Sequence, residues 1–281
     1  MKRKNLISAL LLSTLILTSC SKVDNNIKTD KNDITQETVD KTSNEAEQSN
    51  TTTDDNGTKT SDASKEKNYD VTDEKYDDNR IKITYPQIIN LNGNDKQKKI
   101  NKMIKSEALL LVENCKDEGA ILEVNYKITL ESKNILSLQF EAYENHKGAA
   151  HPLRELYTLN VNMNKCSKLK LKDLIIIDNN LVDKFRQYKV SEPDINQASV
   201  LAFDNILRDY SMEDLLNCFD GADSSYKTSP FTFSYLTKDA LGISTEDTRG
   251  VGHHVEIELK YEDIKDNLKS DNEIWKDLLN E

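Results

Sequence analysis

The sequence predicts an α+β fold: an antiparallel sheet meander with flanking helices, in two small modules packed in tandem. Three observations lead there. Apolar residues alternate with period two in three successive stretches between residues 121 and 163. Helical spacing takes over across 178–220, and alternation returns between 231 and 264. Short connections between the alternating stretches point to antiparallel pairing, and segregated runs of strands and helices to the α+β class.

The chain opens with MKRKNLISALLLSTLILTSC. Lys2, Arg3 and Lys4 form a positive start, and Leu6 to Leu17 is an apolar run too short to cross a bilayer comfortably. This is the pattern of a secretory signal over residues 1–19. Its end, LTSC, resembles the bacterial lipoprotein cleavage box, which implies that Cys20 becomes the first mature residue and is acylated. More than one acyl chain is what stable anchoring requires. The alternative is an ordinary signal that happens to end in Ser-Cys. Cleavage before Cys20 removes three positive side chains and takes the formal charge from −11 to −14. An exported acidic protein is a poor nucleic-acid binder, by address and by sign.

Residues 20–79 are read as the acylated cysteine and a tether. They are rich in Asn, Thr, Ser, Asp and Lys and nearly free of large apolar side chains, so they cannot offset the entropy of ordering. Residues 21–80 hold 9 Lys and Arg against 16 Asp and Glu. As a coil the tether would span roughly 40–45 Å.

The head is expected from residue 80. IKITYPQI reads as a strand ended by Pro86, and Ile100, Met103, Ile104, Leu110 and Leu111 mark an amphipathic helix from Asn94 to Cys115. The lysines on its other face are read as solvated. Three strands follow: Leu122 to Leu130; Leu136, Leu138, Phe140 and Ala142; then Leu153, Tyr157, Leu159 and Val161. NMNKCS is a turn, and KLKLKDLI a short strand running into a loop or helix. Next come helices in NNLVDKFRQY, NQASVLAFDNILRDY and SMEDLLNCF, with Ser211 as N-cap and Gly221 at the end of the last. PFTFSYLTKDALGIS is a hairpin about Lys238 and Asp239. Val255, Ile257, Leu259 and Tyr261 point inward from the final strand, and Ile274, Trp275 and Leu278 dock a terminal helix.

ITYPQIINLNGNDKQKKINKMI resembles the start of the N-terminal module of PdaC-type peptidoglycan deacetylases. HKGAAHPLRELYTLNVNMNKCSKLKLKDLI, FTFSYLTKDALGIS and VGHHVEIELKYEDI resemble the second module, which RsiV-type lysozyme-sensing anti-sigma factors carry outside the cell. The resemblance divides the head into a PdaC-like module at 80–147 and an RsiV-like module at 148–281. It implies a non-catalytic, extracytoplasmic binding domain without a cofactor. The sequence shows neither the sigma-binding and membrane-spanning segments of the anti-sigma factors nor the catalytic domain of the deacetylases. Where the lysozyme-sensing relatives carry an aromatic, Pro- and Tyr-rich loop, this chain reads STEDTRGVGHH.

The chemistry-bearing candidates are few. His146 has the parity of Leu136, Leu138 and Phe140; His151 that of Leu153, Tyr157 and Leu159; His253 that of Val255 and Ile257. With KGAA as a hairpin turn and Gly148 at positive φ, His146 and His151 would face each other on the core side. Three imidazoles at one sheet margin could hold a metal, and zinc with three His and a water is a catalytic arrangement. The bland reading is a polar cluster under a loop. Cys115, Cys166 and Cys218 allow at most one disulfide, and Cys115 reads as a buried apolar residue. No nucleophile elbow or phosphate-binding loop is present. Asp173, Glu246, Asp247, Glu256 and Glu258 cannot be promoted from a chain with 49 acidic residues. Tyr85, Tyr143, Tyr157 and Tyr235 could stack on sugars, but tyrosine at strand positions usually packs. The expectation is a lipid-anchored extracytoplasmic binding protein of the bacterial envelope. Its partners would be the membrane through the anchor, and peptidoglycan or a basic, lysozyme-like protein. A metal-dependent wall hydrolase or deacetylase on the three histidines is the alternative.

Overall fold

The computed structural model describes residues 67–113, 115, 119–188, 197–224, 231–247 and 253–279. The leader, Cys20 and residues 21–66 lie outside the described residues. No described helix is long and apolar enough to cross a membrane.

Six strands form the first sheet in chain order: β1 Asp70–Asp78, β2 Ile81–Ile89, β3 Ile121–Glu131, β4 Ile135–Asn145, β5 Leu153–Asn162 and β6 Ser167–Leu169. Helix α1, Asn94–Ala108, crosses from β2 to β3. That crossover makes the β2–β3 pair parallel, over Ile81–Ile83 against Leu122–Val124, inside an otherwise antiparallel meander. Three strands, β7 Thr232–Leu236, β8 Ala240–Asp247 and β9 His253–Lys260, form a second, antiparallel sheet. Helices α2 Leu171–Leu174, α3 Asn179–Arg186, α4 Gln197–Asp209, α5 Met212–Gly221 and α6 Glu273–Leu278 complete the fold.

Two apolar cores result. Ile100, Ile104 and Ala108 of α1 pack with Leu136, Leu138 and Phe140 of β4 and with Tyr157 and Leu159 of β5. Phe140 and Tyr157 stack at 5.1 Å, and the Tyr157 hydroxyl donates to the Ala108 carbonyl at the end of α1. The second core joins α3, α4 and α5 to the inward residues Val255, Ile257, Leu259 and Tyr261. Phe185 meets Phe203 and Phe219 edge-on, and the Trp275 indole donates to the Leu174 carbonyl at 2.8 Å. Ser211 caps α5 and exchanges hydrogen bonds with Asp214, as its sequence predicts.

Four expectations need correction. Strand β1 falls inside the stretch read as tether, and Tyr69 before it is buried, so the ordered head begins before residue 80. DVTDEKYDD escaped notice because it is an exposed edge strand with little to bury; its acidic side chains guard that edge. Pro86 does not end β2 but sits within it, opposite Asp73. Ile88, two residues on and of the same parity, gives its N–H and C=O to the Asn101 side chain of α1 instead of to β1. The missing N–H of Pro86 therefore belongs on the side where no strand pairs. Helix α1 ends at Ala108, well before Cys115. The division at 147/148 cuts the β4–β5 hairpin, whose ten-pair ladder holds both strands in one sheet.

Candidate functional site

The histidine corner takes a different shape from the one its parity suggests. Strand β4 stops at Asn145, and His146 opens a turn in which the Ala149 N–H donates to the His146 carbonyl, with Gly148 at φ 88°. The His146 Nε2 lies 2.5 Å from a Glu144 oxygen. Glu144 sits at a core-parity position and is only 4% exposed, so His146 serves as its cover. The buried Cys115 thiol also bonds Glu144; burial first, then that carboxylate, pushes the thiol up to about 12. His151 is exposed, not core-facing. Residue His253 starts β9 opposite Asp247, and its side chain lies outside the described residues. Among the described residues no three His, Cys, Asp or Glu side chains are placed to hold a metal. Cys115, Cys166 and Cys218 are free thiols.

A buried polar seam joins the two sheets. The second faces of β4 and β5 present Ser137, Gln139, Thr158, Asn160 and Asn162, all buried. Ser137 donates to Asn160, whose amide donates to the Ser234 carbonyl on β7, and the Leu236 N–H donates to Ser137. At its centre is Asp223, in left-handed backbone at φ 61°, where an Asp is tolerated. Its carboxylate accepts from the Ser234 N–H and hydroxyl, from the Leu171 N–H and from Thr158. Burial pushes this carboxyl above its ordinary value, opposed by the Ser234 donors, Lys168 and the Leu171 N–H. The network is closed and links α2 and β7 to β5; it has no opening to a ligand and reads as structural.

The other polar group lies on the face of the second sheet. Tyr235 of β7 is opposite Gly242 of β8, which is opposite Glu258 of β9. The tyrosine ring lies across the glycine and its hydroxyl reaches Glu258 at 3.1 Å. Next to it Glu256 accepts from the Gln139 amide at 2.7 Å and meets His254 at 3.3 Å. Burial pushes the Glu256 carboxyl up, but His254, Gln139 and Tyr235 outweigh it and hold it below the ordinary range. Burial, then the Glu256 and Glu258 charges, raises the Tyr235 phenol far above its ordinary value. A phenol so disposed is a fixed donor and not a base.

Glu258 also lines an open cleft of about 600 Å³. Lys184, Gln187 and Tyr188 border it at the end of α3, Asp239 at the β7–β8 turn, and Lys260 and Asp263 beside β9. Two ammonium and three carboxylate groups thus share a cleft with the half-buried Tyr188, in a space of the size small-ligand sites use. Sequence reading missed this cleft. Its members are scattered over 80 positions, with no motif between them. Of the tyrosines proposed for stacking, Tyr85, Tyr157 and Tyr235 are buried, and Tyr143 lies under Arg154 at 5.9 Å.

Comparison with known proteins bears on one part of the chain. Residues 73–154 match the family described as Deacetylase PdaC. That segment is PdaC-like. It runs from β1 through β4 and the histidine turn; every residue named above as lining the cleft lies outside it. Among solved structures, a DUF3298-family protein of Bacteroides fragilis is 16% identical, covering 76% of this chain and 98% of its own, with a TM-score of 0.41. A DUF3298-family protein of Pseudomonas aeruginosa is 11% identical, covering 72% and 93%, with a TM-score of 0.40. No curated protein matches the chain significantly.

Proposed function

We propose that this is a lipid-anchored extracytoplasmic binding protein of the bacterial envelope whose head recognises a cell-wall component. Leu17 to Cys20 supports the anchor and the address, and the acidic stretch after it supports a tether. The cleft beside Tyr188 carries the ligand class. Wall peptides present free carboxylates and amines next to sugar rings. Lys184 and Lys260 complement the first, Asp239, Glu258 and Asp263 the second, and Tyr188 offers a ring edge. The PdaC-like segment is in keeping with work at the wall. At the histidine turn His146 is engaged by Glu144, and among the described residues no three His, Cys, Asp or Glu side chains come together there to hold a metal.

The test is calorimetric titration of residues 21–281 with soluble muropeptides. Saturable binding that is lost in Lys184→Ala, with unfolding unchanged, supports the reading. Absence of binding to muropeptides, with binding to lysozyme instead, would replace the wall ligand by a basic protein partner. Stoichiometric zinc that disappears in His151→Ala would move the assignment to the metal enzyme.

A further inference from the structure

Helix α1 carries a charge pattern that its own stability does not explain. Lys96, Lys98, Lys99, Lys102 and Lys105 are all exposed, five of its fifteen residues, in a chain of net charge −11. None of the five has an ion-pair or hydrogen-bond partner among the described residues, whereas Glu107 on the same helix is taken by Lys168 at 2.8 Å. Lys98, Lys102 and Lys105 follow the i, i+4, i+7 spacing of one stripe, on the side away from buried Ile100, Ile104 and Ala108. Like charges at that spacing destabilise a helix. Lys96 also sits in the first turn, where the macrodipole disfavours cations, and Gly93 supplies no side-chain cap. Asp95 is the one acidic side chain among these five lysines, so the face keeps a strong positive excess where a solubilising face would have mixed its charges evenly.

We propose that the lysine face of α1 docks on an anionic lipid bilayer surface. The face holds no exposed large apolar residue, so the contact is electrostatic and lies at the headgroups, not in the acyl region. Charges beyond a Debye length are screened, so the local face decides the encounter despite the acidic whole. The choice of a membrane over a wall polyanion rests on the lipid-anchor reading, since Cys20 and Lys67 are joined by a stretch that as a coil spans about 40 Å and keeps the head within reach. An acyl anchor and a basic face are the two signals that stable attachment uses.

The experiment takes residues 21–281, which lack the acylated cysteine, so that it reads the helix face independently of the anchor. Co-sedimentation is measured with vesicles of pure phosphatidylcholine and with vesicles containing phosphatidylglycerol, at low and physiological salt. Binding is expected only to the anionic vesicles. It falls about a hundredfold in Lys98→Gln/Lys102→Gln/Lys105→Gln, each lysine being worth about a factor of five at such a surface. The control Lys75→Gln/Lys238→Gln/Lys276→Gln removes the same charge from exposed positions elsewhere and should bind as the parent does. Equal loss in both triples, no binding at all, or tighter binding to soluble long-chain polyphosphate than to vesicles would overturn the proposal. Labelling of the intact protein with palmitate tests the anchor reading separately.

Discussion

Gly242→Ala is the most informative single substitution. The Tyr235 ring lies against the glycine Cα, and an added methyl would fall inside the van der Waals envelope of its Cζ, Cε1 and Cε2 atoms. Ordinary carbon contacts need about 3.5–4.0 Å, so the ring must retreat by roughly 1.5–2 Å. It has nowhere to go cheaply, being only 3% exposed. Overpacking of this kind costs about 1–3 kcal/mol. Lifting the ring also breaks the hydroxyl's bond to Glu258, worth about 1.5–3 kcal/mol with a charged acceptor. The sum is about 2.5–6 kcal/mol, against a domain stability of roughly 5–15 kcal/mol. In urea, the midpoint should drop sharply with unchanged slope; in a thermal scan Tm should fall by about 10 °C. The control is Tyr235→Leu. With the ring gone, adding Gly242→Ala should cost under about 1 kcal/mol, because alanine is otherwise the better strand residue. A Gly242→Ala protein within about 1 kcal/mol of the parent, or full additivity in the double variant, would refute the stacking account.

Asp223→Asn keeps the left-handed backbone but faces an amide N–H₂ toward donors; we expect a loss of about 1–2 kcal/mol at neutral pH. Because burial raises the Asp223 carboxyl in the folded state, its contribution is full below the unfolded value and is lost as pH rises through the folded one. The stability gap between parent and variant should therefore widen as pH falls toward the ordinary carboxyl range of about 4, and a gap that narrows on acidification contradicts the assignment. His146→Ala uncovers buried Glu144 and should cost about 1–3 kcal/mol by thermal unfolding; no change would mean that the turn relaxes to admit water. Burial raises Cys115 to about 12 and Cys218 to about 11, so at pH 8 iodoacetamide should label them slowly in the native protein and fast in urea; rapid native labelling would place either thiol in the open.

Much of the fold could be read from local rules. The hairpin about Lys238 and Asp239, the Ser211 cap, the inward set Val255 to Tyr261 and the docking of Ile274 and Trp275 all follow from periodicity and turn chemistry. What escaped was set by neighbours distant in sequence. Ser137, Thr158 and Asn160 look solvent-facing because they alternate with core residues, yet a second sheet covers them. Pro86 looked like a stop because nothing in its own stretch shows that one edge of β2 goes to the Asn101 side chain. The histidine parity held to Glu144 and then failed, since a turn begins at His146 and period-two reasoning stops with the strand. The cleft was illegible for the same reason: Lys184, Asp239 and Glu258 are brought together only by the packing of α3 on the second sheet.

The placement of β1 has a mechanical consequence. A pull applied at Lys67 reaches β1 from its N-terminal side. The first links loaded are the Lys67–Glu131 ion pair and the Tyr69 hydroxyl on the Ser132 carbonyl, with the Tyr126–Asp73 bond just behind them. The partly exposed ion pair contributes little to equilibrium stability, whereas Tyr69 is a buried member of the first core. Under load they act as a clasp, because the ladder beyond them is engaged from its Asp70–Ile89 end and can only peel, one hydrogen bond after another. The force at which the head begins to open is thus set by a few contacts at the edge of the first core, Tyr69 among them, while the second core stays closed.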